Sequence, residues 1–411
     1  MQVAIMGFGT VGSGVAELII KNKKSIISRS AQKSFDIKYI LDIRDFSSHQ
    51  LADLFTKNFN DILNDKSVDV VVETMGGLEP AFEYVSKSLE AGKSVVTSNK
   101  ELVAAKGYEL LELAKKNNVN FLFEASVGGG IPVIRPINQC LAANEHDEVA
   151  GILNGTTNFI LTKMIDEGMD FDEALKLAQA NGYAERDPSA DILGHDAARK
   201  ICILASLCFG KHVYPNEVQT EGITTIAKED VEYAKAWGGV IKLIGRAKKV
   251  ASGKISATVG PCLIKSGCQL SSVTDVFNAI LVRGDAVGDV VFYGRGAGKF
   301  PTASAVVADV IDCAKHLEKR ILLGWEPAEN DYVISPDEQS SSLYVRADVS
   351  DYNQIKEKIN STYEGVQILT YEGAPETEIA FVTPLMNEKE ARQKIAELGI
   401  NTKNILRVLD Y

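Results

Sequence analysis

The sequence contains no apolar run long enough to cross a bilayer, and its N-terminus has no basic segment followed by an apolar core. These absences predict a cytoplasmic protein without a signal peptide or a membrane span. Positive charge is also in deficit, because the 411 residues carry a net charge of −11. This charge argues against a general binder of nucleic acid or anionic membranes. With 45% hydrophobic residues, the composition is that of a soluble globular protein of about three domains.

Cysteine is scarce, and the cysteines that occur form no C-x-x-C pair and lie in apolar surroundings. They are Cys140, Cys202, Cys208, Cys262, Cys268 and Cys313. Such cysteines are typical of the reduced core of a cytoplasmic protein, and they argue against a disulfide framework or a thiolate metal site.

The first 130 residues have the pattern of a doubly wound parallel sheet. A short apolar strand leads into Gly7-Phe8-Gly9-Thr10-Val11-Gly12, and a helical pattern follows. The glycines of this G-x-G-x-x-G motif permit a tight turn and a close approach of a pyrophosphate to the helix N-terminus. Further strands are predicted at 37–41, 68–72, 94–97 and 119–123, with helices around 80–91 and 101–117. This alternation predicts a Rossmann sheet.

The end of the second predicted strand bears on the choice of cofactor. It carries both Asp42 and Arg44. An acid at this place binds the ribose hydroxyls of NAD, whereas an arginine accommodates the additional phosphate of NADP. The pattern therefore leaves both open, and we favour NADP because Arg44 can pair with the 2′-phosphate.

Three polar segments follow other strands of this sheet, and ligands of such folds bind beyond the carboxyl ends of the strands. The segments are Glu73 to Gly77, which includes Thr74, then Ser98-Asn99-Lys100, and Glu124 to Pro132. Lys100 reads equally well as an ordinary solvated lysine. The glycines of the third segment are either a hinge or a source of carbonyl oxygens for a hard cation.

The stretch from Gly182 to Lys200 is the richest in chemistry. Asp187 followed by Pro188 predicts a helix that begins there and runs on into an apolar segment. Asp196 and Lys200 would then lie at i and i+4 on one face. One interpretation is a surface ion pair, worth a few tenths of a kcal/mol at most, and the other is a catalytic pair.

After residue 130 the alternation ends and a second α+β unit is predicted. Its strands are placed at 148–152, 239–250, 254–264 and 287–293, and its helices at 172–181, from Asp187 onward and at 301–317. A polar connector leads to a final unit with strands at 343–349, 366–370, 378–383 and 405–409 and helices at 351–360 and 387–398. This βαββαβ order predicts a ferredoxin-like unit.

Taken together, these motifs resemble the homoserine dehydrogenase family over essentially the whole chain. The resemblance rests on 7–12, 98–100, 124–132, 152–160 and the pattern within 182–200. The final unit resembles an ACT domain, and the chain is similar to the single-function form. The resemblance implies a Rossmann domain over 1–130 to which helix 301–320 returns, a substrate and dimerisation domain over 131–300, a linker over 321–342 and an ACT-like domain over 343–411.

The resemblance also implies a reaction and its residues. The reaction is the reversible NAD(P)-linked reduction of L-aspartate 4-semialdehyde to L-homoserine, in threonine and methionine biosynthesis. Lys200 matches the proton donor of the family, and Lys100 lines the same site. Glu185, Asp191 and Asp196 match substrate-binding carboxylates, and Asp196 also belongs to the catalytic group.

Cofactor, cation and partner residues follow from the same resemblance. The implied cofactor contacts are Gly7, Phe8, Gly9, Thr10, Val11, Gly12, Arg44, Thr74, Ser98, Lys100, Gly182, Gly296 and Gly298. A sodium or potassium ion would be held by the Glu124 side chain and the carbonyl oxygens of Val127, Gly129 and Ile131. The implied assembly is a homodimer or homotetramer.

Two other functions and one departure from the family remain to be weighed. A non-catalytic Rossmann/ACT sensor of cofactor or amino acid would share these motifs. A thiol-dependent semialdehyde dehydrogenase would need an activated cysteine, and none lies near a site motif. The departure is at 348–353, which lacks the Asp-x-Pro-Gly turn of ACT domains that bind amino acids. We therefore expect threonine inhibition to be weak or absent.

Overall fold

A computed structural model describes residues 1–251 and 253–411 and contains two β-sheets. The first sheet has six parallel strands in the order β3-β2-β1-β4-β5-β6. The strands are β1 (Gln2–Met6), β2 (Asp36–Leu41), β3 (Phe55–Thr56), β4 (Val70–Glu73), β5 (Ser94–Thr97) and β6 (Phe121–Leu122). The helices are α1 (Thr10–Lys21), α2 (Lys23–Ser30), α3 (Phe59–Leu63), α4 (Ala81–Glu90) and α5 (Lys100–Lys116). This order is that of a Rossmann fold and confirms the predicted parallel sheet.

The turn between β1 and α1 needs its glycines. Gly7 has φ of +90°, a conformation that other residues rarely adopt. A Cβ added at Gly12 would collide with the carbonyl oxygen of Gly7. The close packing of these two residues brings the N-terminus of α1 to the carboxyl edge of the sheet.

The second sheet is mixed and has twelve strands, with β12-β11-β7-β9-β10-β18-β14-β16-β15 as its main path. Its strands in the middle of the chain are β7 (His146–Ile152), β8 (Gln219–Thr220), β9 (Gly239–Lys249), β10 (Ile255–Lys265), β11 (Phe277–Gly284) and β12 (Gly288–Arg295). The helices there are α6 (Gly155–Glu167), α7 (Phe171–Ala180), α8 (Ser189–Ile192), α9 (His195–Phe209), α10 (Lys228–Trp237) and α11 (Lys299–Lys315). A π-helical turn, Pro136–Cys140, precedes β7.

The sequence analysis predicts no strand between 264 and 287, and this prediction is wrong, because β11 lies there. The strand lies between β7 and β12 and pairs antiparallel with both. Its central residues, 279–282, are all buried. A strand covered on both faces shows a continuous apolar run and no alternation, so its signal is weak.

The helix predicted to run from Asp187 through Lys200 is two helices. The short α8 ends at Ile192, and Gly194 breaks the chain in a left-handed conformation with φ of +84°. A Cβ at Gly194 would crowd Thr220. Asp196 and Lys200 still share one face, because both belong to α9.

Helix α11 lies against the first sheet although its sequence follows the second. It packs on α1, α2 and the strands β4 and β5. Gly14 of α1 permits the approach, because a Cβ there would lie 3.0 Å from Lys299 Cγ. Helices α6, α9 and α10 cover one face of the second sheet.

The last third of the chain continues the second sheet. Its elements are β13 (Val333–Ile334), β14 (Ser340–Asp348), α12 (Tyr352–Thr362), β15 (Gln367–Leu369), β16 (Glu378–Val382), β17 (Met386–Asn387), α13 (Glu388–Glu397) and β18 (Asn401–Leu409). Strand β18 pairs in parallel with β10, with Cys262 opposite Arg407. In the connector, Trp325 and Tyr332 are buried, and β13 also pairs with β10. Across the described residues, no helix has the length and apolar character required to span a membrane.

Candidate active site

A cavity of about 540 Å³ opens where the β1–α1 turn, the start of α5 and the start of α9 meet. Residues from loops and helices next to both sheets line it. The predicted site residues on its wall are Thr10, Val11, Ser98, Lys100, Val127, Gly129, Gly182, Asp191, Asp196, Lys200, Gly296 and Gly298. The predicted site residues that do not line it are Gly7, Phe8, Gly9, Gly12, Arg44, Thr74, Glu124, Ile131 and Glu185.

The centre of the cavity wall is the Asp196–Lys200 pair. Lys200 Nζ donates to Asp196 Oδ2 at 2.6 Å and to the carbonyl oxygen of Leu153 at 2.7 Å. The two side chains are only 8% and 10% exposed. The pair is therefore not the exposed surface ion pair that the spacing alone also allows.

Lys100 joins this pair from the other side of the cavity. It is the first residue of α5, and its Nζ lies 3.1 Å from Asp196 Oδ1. Asn99 caps α5 by accepting the amide N–H of Leu102. The tertiary fold thus places two ammonium groups on one carboxylate at the junction of the two sheets.

The charges in this cluster are unequal. Burial lowers the pKa of the Lys200 ammonium. Burial alone would raise the pKa of Asp196, but Lys200 and Lys100 hold it well below its usual value. Burial raises the pKa of Asp191, whose carboxylate accepts from Asn154 and, among the described residues, from no lysine. The site therefore combines an ionised carboxylate, a second carboxylate that holds a proton more readily and a lysine that releases one more readily.

Asn154 is a site residue that the sequence analysis does not single out. It follows β7, caps α6 by accepting the amide N–H of Thr157, and donates to both Asp191 and Asp196. The sequence Asn-Gly-Thr-Thr after a strand is a helix N-cap pattern, and it predicts the capping role of Asn154. The pattern indicates the cap but does not indicate the two carboxylates.

The remaining residues of the nucleotide turn hold its shape. Thr74 Oγ1 donates to the Gly7 carbonyl oxygen at 2.9 Å, so it supports the turn from below. Asp42 accepts the amide N–H of Phe8 at 2.7 Å and two N–H groups of the Arg44 guanidinium at 2.8 and 2.9 Å. Arg44 itself is more than half exposed at the rim of the turn.

Glu124 is buried and caps the turn that follows it. Its carboxylate accepts the backbone N–H groups of Val133, Ile134 and Arg135 at 2.6 to 2.8 Å. In the described part of the chain, no cluster of three or more His, Cys, Asp or Glu side chains is arranged to hold a metal ion. A cation here would therefore need backbone oxygens in addition to the Glu124 carboxylate.

The loop that carries Glu185 stays outside the cavity. Glu185 is exposed, and its backbone carbonyl accepts from Gln179. Gly182 and Tyr183 of the same loop do line the cavity. The role of Glu185 as an ammonium ligand therefore stays a prediction.

A Rossmann sheet whose carboxyl edge faces a lysine and carboxylate cluster defines a nicotinamide-dependent oxidoreductase. Residues 7–124 match the family model of the homoserine dehydrogenase NAD-binding domain, and residues 132–311 match the homoserine dehydrogenase model. The chain belongs to the homoserine dehydrogenase family, whose members are oxidoreductases that act on a CH–OH group.

Individual relatives extend the similarity to both ends of the chain. The homoserine dehydrogenase of Neisseria gonorrhoeae is 38% identical, over 97% of this chain and 95% of its own. The crystal structure of the Thiobacillus denitrificans enzyme has a TM-score of 0.90 at 34% identity, over 100% of this chain and 98% of that one. A hyperthermophilic archaeal homoserine dehydrogenase in complex with NADPH has a TM-score of 0.64 at 29% identity, and it covers 76% of this chain and 97% of its own.

Proposed function

We propose that this chain catalyses the reversible reduction of L-aspartate 4-semialdehyde to L-homoserine, and that Lys200 supplies the proton. The observation that carries the assignment is the position of Lys200. Its ammonium is buried, fixed by Asp196 and the Leu153 carbonyl, and part of the cavity wall opposite the nucleotide turn. A proton donor for a developing alkoxide must be held in this way.

The side chains divide the chemistry between them. A bound nicotinamide supplies the hydride. Lys200 uses two of its three N–H bonds on groups of the described chain, which leaves the third to donate to the carbonyl oxygen of the substrate. Lys100 adds a second positive charge that stabilises the alkoxide. Asp196 stays ionised and orients both lysines.

The substrate has an amino-acid end, and its ammonium needs a carboxylate. Asp191 is in the cavity and half-buried. Glu185 lies on the adjoining loop, which also contributes Gly182 to the wall. We assign substrate binding to these two acids, with Glu185 engaged only when its loop closes on the substrate. Glu185→Gln should then act mainly through KM for the amino-acid substrate.

The direct test is an assay of the purified chain. Aspartate 4-semialdehyde and NADPH, without phosphate, should show loss of the reduced-nicotinamide absorbance. A sensor that only binds cofactor would show none. A thiol-dependent semialdehyde dehydrogenase would also show none, because it oxidises the aldehyde and needs NADP⁺ and phosphate to do so. Omission of the semialdehyde is the control for background oxidation.

We propose a preference for NADP over NAD on the basis of the hydrogen bonds of Asp42. Its carboxylate accepts from Phe8 and from three N–H groups of Arg44, which uses the acceptor sites that a ribose hydroxyl would need. Arg44 is held at the rim with part of its guanidinium toward solvent. Arg44→Ala should lower the NADP-to-NAD ratio of kcat/KM by at least about tenfold. Arg29→Ala, exposed on α2, is the matched control.

We also propose a monovalent cation at Glu124, with Val127, Gly129 and Ile131 as further ligands. The carbonyl oxygens of these three residues accept no hydrogen bond within the described residues. Oxygen atoms of this kind suit a hard cation. Its place beside the cavity suggests a structural role at the junction of the sheets. A rise in melting temperature with KCl or NaCl, but not with equal choline chloride, would support the site.

For the last third of the chain we propose an ACT-like unit over 343–411, after a linker over 321–342, a Rossmann domain over 1–130 and a central domain over 131–300. The order β14-α12-β15-β16-α13-β18 is βαββαβ and supports it, with the two-residue β17 as an addition between β16 and α13. Because β18 extends the sheet of β10, we assign this unit to assembly more than to threonine sensing. Potent threonine inhibition that disappears on truncation near residue 330 would contradict this assignment.

We propose a homodimer or homotetramer that forms through the second sheet. Its edge strand β12 leaves Tyr293 55% exposed, and Val287 in the preceding turn is 46% exposed. Large apolar side chains at an open sheet edge are typical of an interface. Tyr293→Lys should lower the mass measured by light scattering after gel filtration, whereas Ile20→Lys, at a position of α1 that is 49% exposed, should not.

A further inference from the structure

The junction between β7 and α6 holds both members of the catalytic ion pair. Leu153 follows the last residue of β7, and its carbonyl oxygen accepts from Lys200 Nζ at 2.7 Å. The next residue, Asn154, donates from its side-chain amide to Asp196 Oδ2 at 2.9 Å. Two consecutive residues of one turn therefore fix the two ends of the pair that α9 supplies.

The same amide reaches the second acid of the cavity. Asn154 Nδ2 carries two hydrogens, and the other partner is Asp191 Oδ1 at 2.7 Å. Asp191 belongs to α8 and Asp196 to α9, on opposite sides of the break at Gly194. The amide thus connects α8 and α9, two helices that the backbone joins only through Leu193 and Gly194.

The orientation of this amide is set by its partners. Its oxygen accepts the backbone N–H of Thr157 at 2.8 Å and the Thr157 hydroxyl at 3.1 Å. A flipped amide would face its oxygen toward two carboxylates and its hydrogens toward two donors. Asn154 is 5% exposed, so water cannot easily replace these contacts.

From this geometry we propose that Asn154 is a positioning residue of the reaction, which holds Asp191 and Asp196 at a fixed separation and so aims Lys200 at the substrate. The proposal rests on the proposed role of Lys200. Asn is suited to the place because an amide donates to both acids and carries no charge of its own. Asp would add a third negative charge, and Ser could reach only one acid.

The test separates this role from that of a helix cap. Asn154→Ser keeps an N-cap side chain for α6 but removes the bridge. We expect kcat to fall about 10- to 100-fold, as misplaced catalytic groups do, with little change in KM for NADPH or in melting temperature. Asn58→Ser, at the exposed N-cap of α3, is the matched control for the cost of the cap alone.

Asn154→Asp adds a readout that a purely structural role would not move. The introduced carboxyl group keeps the cap, and when ionised it repels Asp191 and Asp196. When protonated it can donate one hydrogen bond. We therefore expect kcat of this variant, relative to the unmodified enzyme, to rise as the pH falls.

Two results would overturn the proposal: kcat of Asn154→Ser within twofold of the unmodified enzyme, or an Asn154→Asp variant with an unchanged pH profile. Lys200→Met in the same assay keeps the two proposals apart. If Lys200→Met retains turnover, the role of Lys200 fails. If it is inactive while Asn154→Ser is not impaired, only the positioning role of Asn154 fails.

Discussion

Two of the buried ion-pair clusters in this protein differ in the cation that each one uses. In the cavity, Asp196 is paired with two lysines. Between α10 and the C-terminal strands, Asp230 is fully buried and accepts two guanidinium N–H groups of Arg346 at 2.7 and 3.2 Å. Glu378 accepts a third N–H of Arg346 at 2.8 Å. Burial and opposite charge are therefore common to both.

The two clusters differ in whether the cation can release a proton and whether it can reach a ligand in the cavity. The Arg346 guanidinium is divided between two carboxylates and is not part of the wall of the cavity that Lys200 lines. It does not lose its proton in any ordinary pH range. Lys200 retains an N–H bond for the cavity, and its pKa is lowered by burial. A buried ion pair indicates chemistry only when its cation can release a proton and has an open side. The following predictions test this distinction.

The largest effect should come from Lys200→Met. A positioned general acid contributes about 10²–10⁴ in rate, or roughly 3–5 kcal/mol. We expect kcat to fall by that factor, while cofactor affinity and melting temperature change little. Steady-state kinetics with fluorescence titration of NADPH measure both. Turnover within a few-fold of the unmodified enzyme would remove Lys200 from the mechanism.

Arg346→Met should have the opposite result, with a large loss of stability and little change in kcat. It leaves Asp230 and Glu378 buried without their cation, which costs about 3–5 kcal/mol of stability. Tyr344 and Asn404 still donate to Asp230, so part of the cluster survives. We expect the urea midpoint to fall while kcat per folded molecule is nearly unchanged. A large loss of kcat in the folded variant would show that this cluster supports the site directly.

A smaller effect is expected in the pH profile of Asp196→Asn. With Lys200 as the proposed proton donor, reduction needs its protonated ammonium, so kcat for reduction should fall as pH rises through the pKa of Lys200. The Asp196 carboxylate raises that pKa against the effect of burial. Removal of its charge should therefore move the alkaline limb of the profile to lower pH. An unmoved limb would mean that another group titrates there.

The same comparison shows how far the sequence could lead. The i and i+4 spacing predicted Asp196 and Lys200 on one face, because both depend on a single helix. The G-x-G-x-x-G motif predicted the β1–α1 turn for a similar reason, since all its residues are local. Neither the approach of Lys100 to Asp196 nor the bridge of Asn154 has a local signature. Their partners lie 96 and 42 positions away along the chain.

Long-range strand pairing could not be predicted either, because it also has no local signature in the sequence. The C-terminal unit was predicted as an element order, but its parallel pairing with β10 joins residues far apart in sequence. Arg346 and Asp230 likewise meet across 116 positions. Period and spacing report on one element at a time, and these contacts depend on the relative position of two.

The smallest effect should come from an ion pair that has the spacing of Asp196 and Lys200 but lies in a different environment. Lys87 Nζ lies 2.5 Å from Glu83 Oε1 at i and i+4 on α4, and both side chains are about half exposed. Solvent screens this pair, and water can replace either partner. We expect Lys87→Ala to leave kcat unchanged and the melting temperature within about 1 °C of the unmodified protein. A clear loss of activity in Lys87→Ala would contradict the distinction, because an exposed pair outside the cavity would then affect the reaction. Since Lys200 and Lys87 share residue type and spacing, the contrast between the two variants isolates the contribution of the environment.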